Sequence, residues 1–311
     1  MPHYDALIVG AGIAGLTAAA TLARGGARVA VCEQAERTGG LLNSFRRQGY
    51  LFDGGIKALE NAGLILPTLE QLGVLDEVRL VKSPIALLTQ QHVQPIRTQA
   101  DLEAYFAHLA GLFPDEHAGL QTIRADALRI FQLLGALLRF PNLFARDSAE
   151  RVTPGEWFKG HGRALSRAPR TLGLLKRTLR AYCEEHVQDA ALVNLLCDVF
   201  PEGTTAFFGL GYFGIFLDYY YPADGMQAIP RALTDAILAA EGEVFTGALV
   251  ERITLDNGRA TGVHLADGRE LRAGYIVSAG DARRLCTRLL PAGALPASFT
   301  DPLLRARPAH T

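Results

Sequence analysis

Three glycines near the N-terminus have the spacing of a phosphate-binding turn. Gly10, Gly12 and Gly15 follow a short apolar run and open a stretch with the alanine and leucine spacing of a helix. The first glycine permits a tight turn, the second lets the backbone approach a pyrophosphate, and the third lets helix and strand pack closely. The helix N-terminus adds free N–H groups and partial positive charge. The spacing therefore predicts a dinucleotide site, which includes Ala14.

A carboxylate stands where the ribose of such a ligand is expected. Glu33 ends a second β-branched run, eighteen residues past Gly15, and Gln34 follows it. At this place in the chain a carboxylate can accept hydrogen bonds from ribose hydroxyls. Strand, glycine turn, helix and strand within some thirty residues make a βαβ unit with a right-handed crossover. The alternative is a tight glycine turn that binds nothing.

Two further pairs of glycines indicate which dinucleotide to expect. Gly39-Gly40 begins six residues beyond Glu33, and Gly54-Gly55 ends a turn that starts at Gly49. Nicotinamide-binding folds do not need these glycines. An isoalloxazine ring does, because backbone must lie flat against it and side chains would intrude. We therefore expect FAD, with ordinary loop glycines as the alternative.

These residues carry a family resemblance. The runs VGAGIAG, RTGG and FDGG, together with Glu33, resemble the FAD-dependent amine oxidase superfamily. The later runs YPADGM from Tyr221, GRATGV from Gly258 and VSAGD up to Asp281 are similar to its phytoene desaturase branch, which includes carotenoid isomerases and retinol saturases. The resemblance implies hydride transfer between the flavin and an allylic or otherwise activated carbon of an apolar, polyene- or isoprenoid-like substrate.

The resemblance also implies roles for residues outside the glycine turn. The residue matching Val250 contacts the adenine through its backbone, and the glycines matching Gly39 and Gly40 pass near the pyrophosphate and flavin. Asp281 is expected in the cofactor site. The relatives vary at the position of Lys57, which we name independently of the resemblance as the candidate catalytic side chain near the ring. Family members are longer and close the flavin site with a C-terminal glycine-rich segment, so we expect a shortened relative or a fragment. A flavin amine oxidase and a non-catalytic dinucleotide-binding fragment are the alternatives.

An α/β fold is needed to bring these residues together. Helical spacing dominates the middle of the chain, and Asn257-Gly258 and Asp267-Gly268 are hairpin turns between short strands near the end. We expect a Rossmann-like FAD-binding domain, made of a parallel sheet and a β-meander, with an inserted and mainly helical substrate domain. The predicted segments are 1–95 and 223–290 for FAD, 96–222 for substrate and 291–311 as a shortened tail.

The aromatic residues are concentrated in one segment. Eight of the chain's aromatic residues fall within Phe207–Tyr221, with glycines between them. Such a segment can line an apolar tunnel for a polyene or similar lipid, and plain core packing is the alternative. The candidate substrate residues are Phe208, Tyr212, Phe216 and Tyr220.

The amino-acid composition indicates which binding partners and which cellular compartment to expect. The 311 residues carry a formal net charge of −1, which gives no electrostatic reason to expect nucleic acid. The four cysteines include no CxxC pair, so neither a disulfide framework nor a metal site is indicated, and a cytoplasmic protein is expected. Residues 159–180 are basic and interleaved with leucines. They form either an amphipathic face for peripheral membrane contact or a solvated helix.

Overall fold

The computed structural model describes residues 3–61, 63–89, 92–138 and 168–306, together with residues 155, 159, 162 and 166. The chain divides into two compact units. The sheet unit comprises Met1–Lys57, Thr68–Val81 and Tyr221–Thr311, and the helical unit comprises Ala58–Pro67 and Lys82–Tyr220. The chain therefore passes between the units at Ala58, Thr68, Lys82 and Tyr221, whereas the predicted boundaries of the inserted domain lie at 95 and 222.

Strands and helices alternate in the sheet unit, and helices predominate in the other. In the described part of the chain the strands are β1 (His3–Val9), β2 (Val29–Cys32), β3 (Ser44–Arg47), β4 (Tyr50–Asp53), β5 (Leu59–Glu60), β6 (Leu80–Lys82), β7 (Ile85–Thr89), β8 (His92–Ile96), β9 (Tyr219–Pro222), β10 (Glu243–Phe245), β11 (Val250–Asp256), β12 (Arg259–Leu265) and β13 (Glu270–Ser278). The helices are α1 (Ile13–Arg24), α2 (Ile65–Gln71), α3 (Gln99–Leu112), α4 (His117–Leu138), α5 (Ala168–Gly173), α6 (Leu179–His186), α7 (Ala190–Cys197), α8 (Ala206–Ile215), α9 (Ala228–Ala239), α10 (Ala282–Arg284) and α11 (Ala297–Arg305).

The sheet unit is built on a six-stranded sheet with the order β10-β2-β1-β13-β12-β11. β1 pairs in parallel with β2 and β13, and β10 pairs in parallel with β2. All four residues of β2 are buried, as expected for a parallel strand covered on both faces. β11, β12 and β13 form an antiparallel meander. This arrangement confirms the predicted fold class, an α/β protein with a parallel sheet and a β-meander.

Small residues bring α1 close to the parallel strands. The buried residues of α1 include Gly15, Ala19 and Ala20, which present almost no side chain to their neighbours. α9 also packs against α1. The hairpin between β11 and β12 turns through Asn257 and Gly258, with φ values of 49° and 78°. Asn and Gly tolerate this left-handed region, which is why the dipeptide predicts the turn.

The helical unit has its own apolar core, which joins α3, α4, α6, α7 and α8. Its fully buried members include Leu109, Ile123, Tyr182 and Leu192. The helices begin at side-chain caps, where Thr98, Thr178, Asp189 and Thr205 accept hydrogen bonds from backbone N–H groups of the first turn. Among the described residues, none of the helices combines the length and the apolarity that a bilayer crossing requires.

Candidate functional site

The glycine turn between β1 and α1 contains one glycine that packing requires and one that it does not. A Cβ atom on Gly15 would overlap the carbonyl oxygen of Gly10 and lie 3.1 Å from Ala279 Cβ. Gly10 itself has φ +101°, a conformation that side chains disfavour. A Cβ atom on Gly12 would meet nothing within 4 Å. The space beside Gly12 is therefore open, as close approach of a ligand to the backbone requires.

The N-terminus of α1 faces this space without a side-chain cap. Gly12 is the N-cap residue, and the first turn of α1 contains no acidic residue. The first N–H groups of a helix have no acceptor within the helix and carry its partial positive charge. The end of α1 can therefore bind an anion.

Gly39 and Gly40 lie directly on the glycine turn. The Gly39 N–H donates to the carbonyl oxygen of Ala11 at 2.7 Å, and Gly39 forms an isolated parallel bridge with Gly12. A Cβ atom on Gly40 would lie 3.2 Å from Gly12 Cα. The structure thus joins two glycine segments that the sequence separates by more than twenty residues.

Gly54 and Gly55 continue the same surface. The Gly54 N–H donates to the carbonyl oxygen of Asn43 at 2.9 Å, and the Asn43 side chain donates to the carbonyl oxygen of Gly40. A Cβ atom on Gly54 would overlap the Asn43 side chain, and one on Gly55 would overlap the Leu41 carbonyl oxygen. We call the backbone formed by Gly10–Gly15, Gly39–Gly40 and Gly54–Gly55 the glycine surface.

Glu33 stands at the edge of this surface, and its carboxylate holds the turn. One oxygen accepts the Ala11 N–H at 2.7 Å, and the other accepts the Ala35 N–H at 2.9 Å. A carboxylate has about four lone-pair sites, so acceptor capacity for ribose hydroxyls is left. Backbone hydrogen bonds to Phe245 and from Ala248 fix Glu33 at the end of β2.

Gln34 and Asp281 have side-chain partners of their own. Arg284 donates to the Gln34 side chain at 3.0 Å. Asp281 caps α10 by accepting the Arg284 N–H at 2.7 Å, so one of its oxygens is used. Val250 is buried at the start of β11, where it pairs in register with Leu265.

Asp53 is a connecting residue that sequence reasoning missed. Its carboxylate accepts the Ser44 hydroxyl at 2.7 Å, the Met226 N–H at 3.0 Å and the Tyr221 hydroxyl at 2.7 Å. Burial alone would raise the pKa of Asp53, but these hydrogen bonds and the nearby charge of Lys57 hold the pKa below its usual value. The signal was a lone carboxylate at the end of β4, directly before Gly54.

Tyr221 is the partner of Asp53 and was likewise missed. The hydrogen bond to Asp53, with burial, raises the pKa of Tyr221 to about 12, so its hydroxyl stays protonated and donates. This bond ties the FDGG run to the YPADGM run across 168 residues. Lys57 is exposed, two residues beyond Gly55.

In the helical unit, three of the four predicted substrate residues form one row. Phe208 and Tyr212 have ring centroids 5.8 Å apart, and Tyr212 and Phe216 have centroids 5.4 Å apart. Phe208 is 53% exposed and Phe216 is 7% exposed. The row therefore runs from the surface into the core. Core packing accounts for its buried end, and substrate contact at its exposed end stays a prediction. Tyr220 lies apart in β9, with Lys82 Nζ 6.0 Å from its ring centroid.

Polar groups stand beside this row. The hydroxyls of Tyr212 and Tyr219 are 2.6 Å apart, and both lie within hydrogen-bond distance of Glu60, so one hydroxyl donates to the carboxylate and the other donates either to it or to its neighbour. Burial and these hydrogen bonds raise the pKa of Tyr219. A cavity of about 270 Å³ lies next to Phe216 and Tyr219. Lys82 and Arg97 also line this cavity.

The basic segment 159–180 is described only in part, since residues 160, 161, 163–165 and 167 lie outside the described residues. Arg177 and Arg180 pair with Glu185 and Asp198. Leu172 and Leu175 are exposed. Membrane contact through this segment stays a prediction. The described residues include no group of three His, Cys, Asp or Glu side chains placed to hold a metal ion.

A glycine turn of this kind, at the carboxyl edge of parallel strands, defines a nucleotide-binding protein of the doubly wound α/β class. Comparison with known proteins identifies the family within this class. Residues 13–306 match the family of flavin containing amine oxidoreductases, and the chain belongs to this family.

Individual relatives are consistent with the predicted branch. The chain is 28% identical over 296 residues to prolycopene isomerase of Arabidopsis thaliana, covering 88% of this chain and 47% of the relative. It is 29% identical over 300 residues to all-trans-retinol 13,14-reductase of Rattus norvegicus, covering 86% and 45%. The chain thus spans about half the length of the curated relatives it matches. The predicted resemblance to the phytoene desaturase branch is confirmed.

A solved structure shares the fold. The crystal structure of an oxidoreductase from Methanosarcina mazei matches with a TM-score of 0.60 and 18% identity, covering 96% of this chain and 64% of that chain. At this identity the match concerns the fold alone.

Proposed function

We propose that the chain is an FAD-dependent oxidoreductase that transfers a hydride between the flavin and an apolar, polyene- or isoprenoid-like substrate. The glycine surface carries the proposal, above all the open space beside Gly12 at the uncapped end of α1. Family membership supports a flavin. The relatives named for prolycopene and all-trans-retinol support an apolar substrate.

The sheet unit offers hydrogen-bonding or backbone groups for each part of the cofactor. The N–H groups of the first turn of α1 would bind the pyrophosphate, with Gly12 and Ala14 beside it. Glu33 would accept hydrogen bonds from the adenosine ribose, with Gln34 next to it, and the backbone at Val250 would contact the adenine. A Cβ atom on Gly39, Gly40, Gly54 or Gly55 would meet protein atoms, so these glycines let their segments pack closely, and the backbone of these segments would form the surface that receives the flavin. Asp281 follows the segment that faces Gly10.

FAD, when bound, would supply the two-electron redox chemistry, and the protein would bind and orient the reactants. Asp53 would hold the hairpin β3–β4 against the segment 221–227, because its three hydrogen bonds fix both. Lys57 would bring a positive charge to the end of the glycine surface. The row of Phe208, Tyr212 and Phe216, with Tyr220, would provide apolar contacts for the substrate.

The test is binding of FAD to the purified chain. We expect a yellow protein after gel filtration, with one FAD per chain and quenched flavin fluorescence. A colourless protein that leaves FAD fluorescence unchanged would contradict the proposal.

Turnover of the FAD-loaded chain then separates the three functional hypotheses. Anaerobic bleaching of oxidised flavin by a polyene, or return of the yellow colour when a polyene is added to chemically reduced flavin, supports the proposal if amines do neither. Bleaching by amines alone favours an amine oxidase. Bound FAD that responds in neither oxidation state favours the non-catalytic fragment.

We also propose a cytoplasmic location with peripheral membrane contact through residues 159–180. Flotation of the protein with anionic but not neutral vesicles is the expected result. If equal amounts of protein float with anionic and with neutral vesicles, the basic residues do not determine the membrane contact and this proposal is contradicted.

A further inference from the structure

The cavity beside the aromatic row combines an apolar inner wall with basic side chains at its mouth. Its volume is about 270 Å³, and its lining residues, which include Lys82, Ile96, Arg97, Phe216 and Tyr219, all belong to the helical unit. Ile96 and Phe216 are buried, whereas Lys82 and Arg97 are exposed. The two cations therefore stand where the cavity opens to solvent, and apolar side chains form its inner wall.

Strand pairing brings the two cations to the same place. Lys82 ends β6, and Arg97 directly follows β8. In the hairpin β7–β8, Ile85 pairs in register with Ile96, so Arg97 comes opposite the short connection that follows Lys82. Within that connection, the Ser83 N–H donates to a carbonyl oxygen of β9 at 3.1 Å. The two positive charges therefore share one end of the hairpin because the backbone is paired there.

No described carboxylate neutralises these charges. Within the part of the chain that the structure describes, neither Lys82 nor Arg97 forms an ion pair. Lys82 Nζ lies 6.0 Å from the Tyr220 ring centroid, which is the outer limit of a cation–π contact. Asp101 is near Arg97, but its carboxylate accepts the backbone N–H groups of Arg97 and Thr98 at 3.0 and 2.9 Å.

The third polar side chain of the cavity wall already has partners. The Tyr219 hydroxyl lies 2.6 Å from the Tyr212 hydroxyl and 3.0 Å from Glu60. Burial and these hydrogen bonds raise the pKa of Tyr219, so its hydroxyl stays protonated. Among the described lining residues, the side-chain donors left for a ligand are therefore those of Lys82 and Arg97.

We propose that this cavity binds an apolar chain that ends in a carboxylate. The carboxylate lies between Lys82 and Arg97, and the planar guanidinium can donate two parallel hydrogen bonds to it. The chain lies against Ile96, Phe216 and Leu217, where its burial removes apolar surface from water. This site requires no flavin and goes beyond the proposed hydride transfer.

The volume of the cavity limits the length of the bound chain. Since a water molecule occupies ~30 Å³ in the liquid, the cavity has room for roughly nine or ten non-hydrogen atoms. An eight-carbon carboxylate has this size. A longer chain would place only its carboxylate end here.

Binding of octanoate to the purified chain tests the proposal by calorimetry. We expect octanoate to bind at least about tenfold more tightly than octanol, which has the same chain without the charge, and than acetate, which has the charge without the chain. Added salt is expected to weaken the binding of octanoate more than that of octanol. Absence of octanoate binding, or equal affinity for octanoate and octanol, would overturn the proposal.

Substitutions assign the binding to the two cations. Lys82→Gln and Arg97→Gln are each expected to weaken octanoate binding about threefold to tenfold and to leave octanol binding unchanged. Lys176→Gln is the matched control, because Lys176 is an exposed lysine of the same unit that does not line the cavity, and we expect it to bind octanoate like the wild type. Wild-type affinity in both Lys82→Gln and Arg97→Gln, or equal weakening in Lys176→Gln, would overturn the assignment.

Kinetics of the FAD-loaded chain distinguish two sources of such a ligand. If octanoate raises the KM for a polyene, the cavity receives one end of the substrate. If octanoate binds and leaves the KM unchanged, the cavity receives a separate ligand. Both results support the site, because it is established by binding and not by turnover. A chain that binds octanoate but shows no flavin chemistry would contradict the proposed function alone.

Discussion

Replacing Gly12 by alanine separates ligand binding from packing in the glycine turn. Gly12 has φ −69° and ψ 176°, an extended conformation open to any residue, and its Cβ would meet nothing within 4 Å. Alanine caps a helix less well than glycine but lowers the entropy of the unfolded chain, and these effects oppose each other. We therefore expect the free energy of unfolding of the apoprotein to change by less than about 1 kcal/mol.

The same methyl group would stand where the pyrophosphate must approach the backbone. We expect Gly12→Ala to weaken FAD binding about tenfold to a hundredfold, equivalent to about 1.4–2.8 kcal/mol. Quenching of FAD fluorescence measures the affinity, and urea unfolding of the apoprotein measures the stability.

Gly15→Ala is the matched control for packing. Its Cβ would overlap the Gly10 carbonyl oxygen, so the turn must shift, and overpacking of this kind costs about 1–3 kcal/mol. Wild-type FAD affinity in Gly12→Ala would refute the assigned place of the pyrophosphate. If Gly12→Ala loses as much stability as Gly15→Ala, then Gly12 is also required for packing, and the claim that it serves only ligand binding is refuted.

Four further substitutions test other parts of the account. Asp53→Asn is expected to lower the free energy of unfolding by about 1–3 kcal/mol at neutral pH, because hydrogen bonds to a charged acceptor are lost. Since the folded state lowers the pKa of Asp53, this contribution is present above the unfolded-state pKa and fades as pH falls through the folded-state pKa. Urea unfolding of both proteins should therefore give a difference that shrinks in acid, and a difference independent of pH would contradict this. Glu33→Gln is expected to weaken FAD binding about tenfold, or about 1.4 kcal/mol, by calorimetry, and unchanged affinity would remove Glu33 from the ribose site. Phe208→Ala is expected to raise the KM for a polyene with stability within about 1 kcal/mol, whereas Phe216→Ala loses about 3–5 kcal/mol of stability. If the KM of Phe208→Ala is unchanged, the row of Phe208, Tyr212 and Phe216 serves core packing and does not contact the substrate.

The parts of the fold that depend on local sequence were predicted. The apolar run into Gly10, the alanine-rich helix and the β-branched run before Glu33 specify β1, α1 and β2 with little help from the rest of the chain. Asn257-Gly258 likewise specifies its turn, because both residues accept positive φ.

The parts that depend on distant contacts were not predicted. No local pattern places β10 beside β2 at the sheet edge, or residues 82–95 in the helical unit. The hydrogen bond between Asp53 and Tyr221 joins residues 168 apart in the sequence. Glu33 was predicted as a ribose ligand, but its hydrogen bond with the Ala11 N–H became visible only once strand and turn were folded.

A crystal structure of the chain with FAD tests the central claim most directly. The account predicts the pyrophosphate against Gly12 and the first turn of α1, and the adenosine ribose on the Glu33 carboxylate. FAD bound away from the glycine surface, or a phosphate separated from Gly12 by protein side chains, would contradict it.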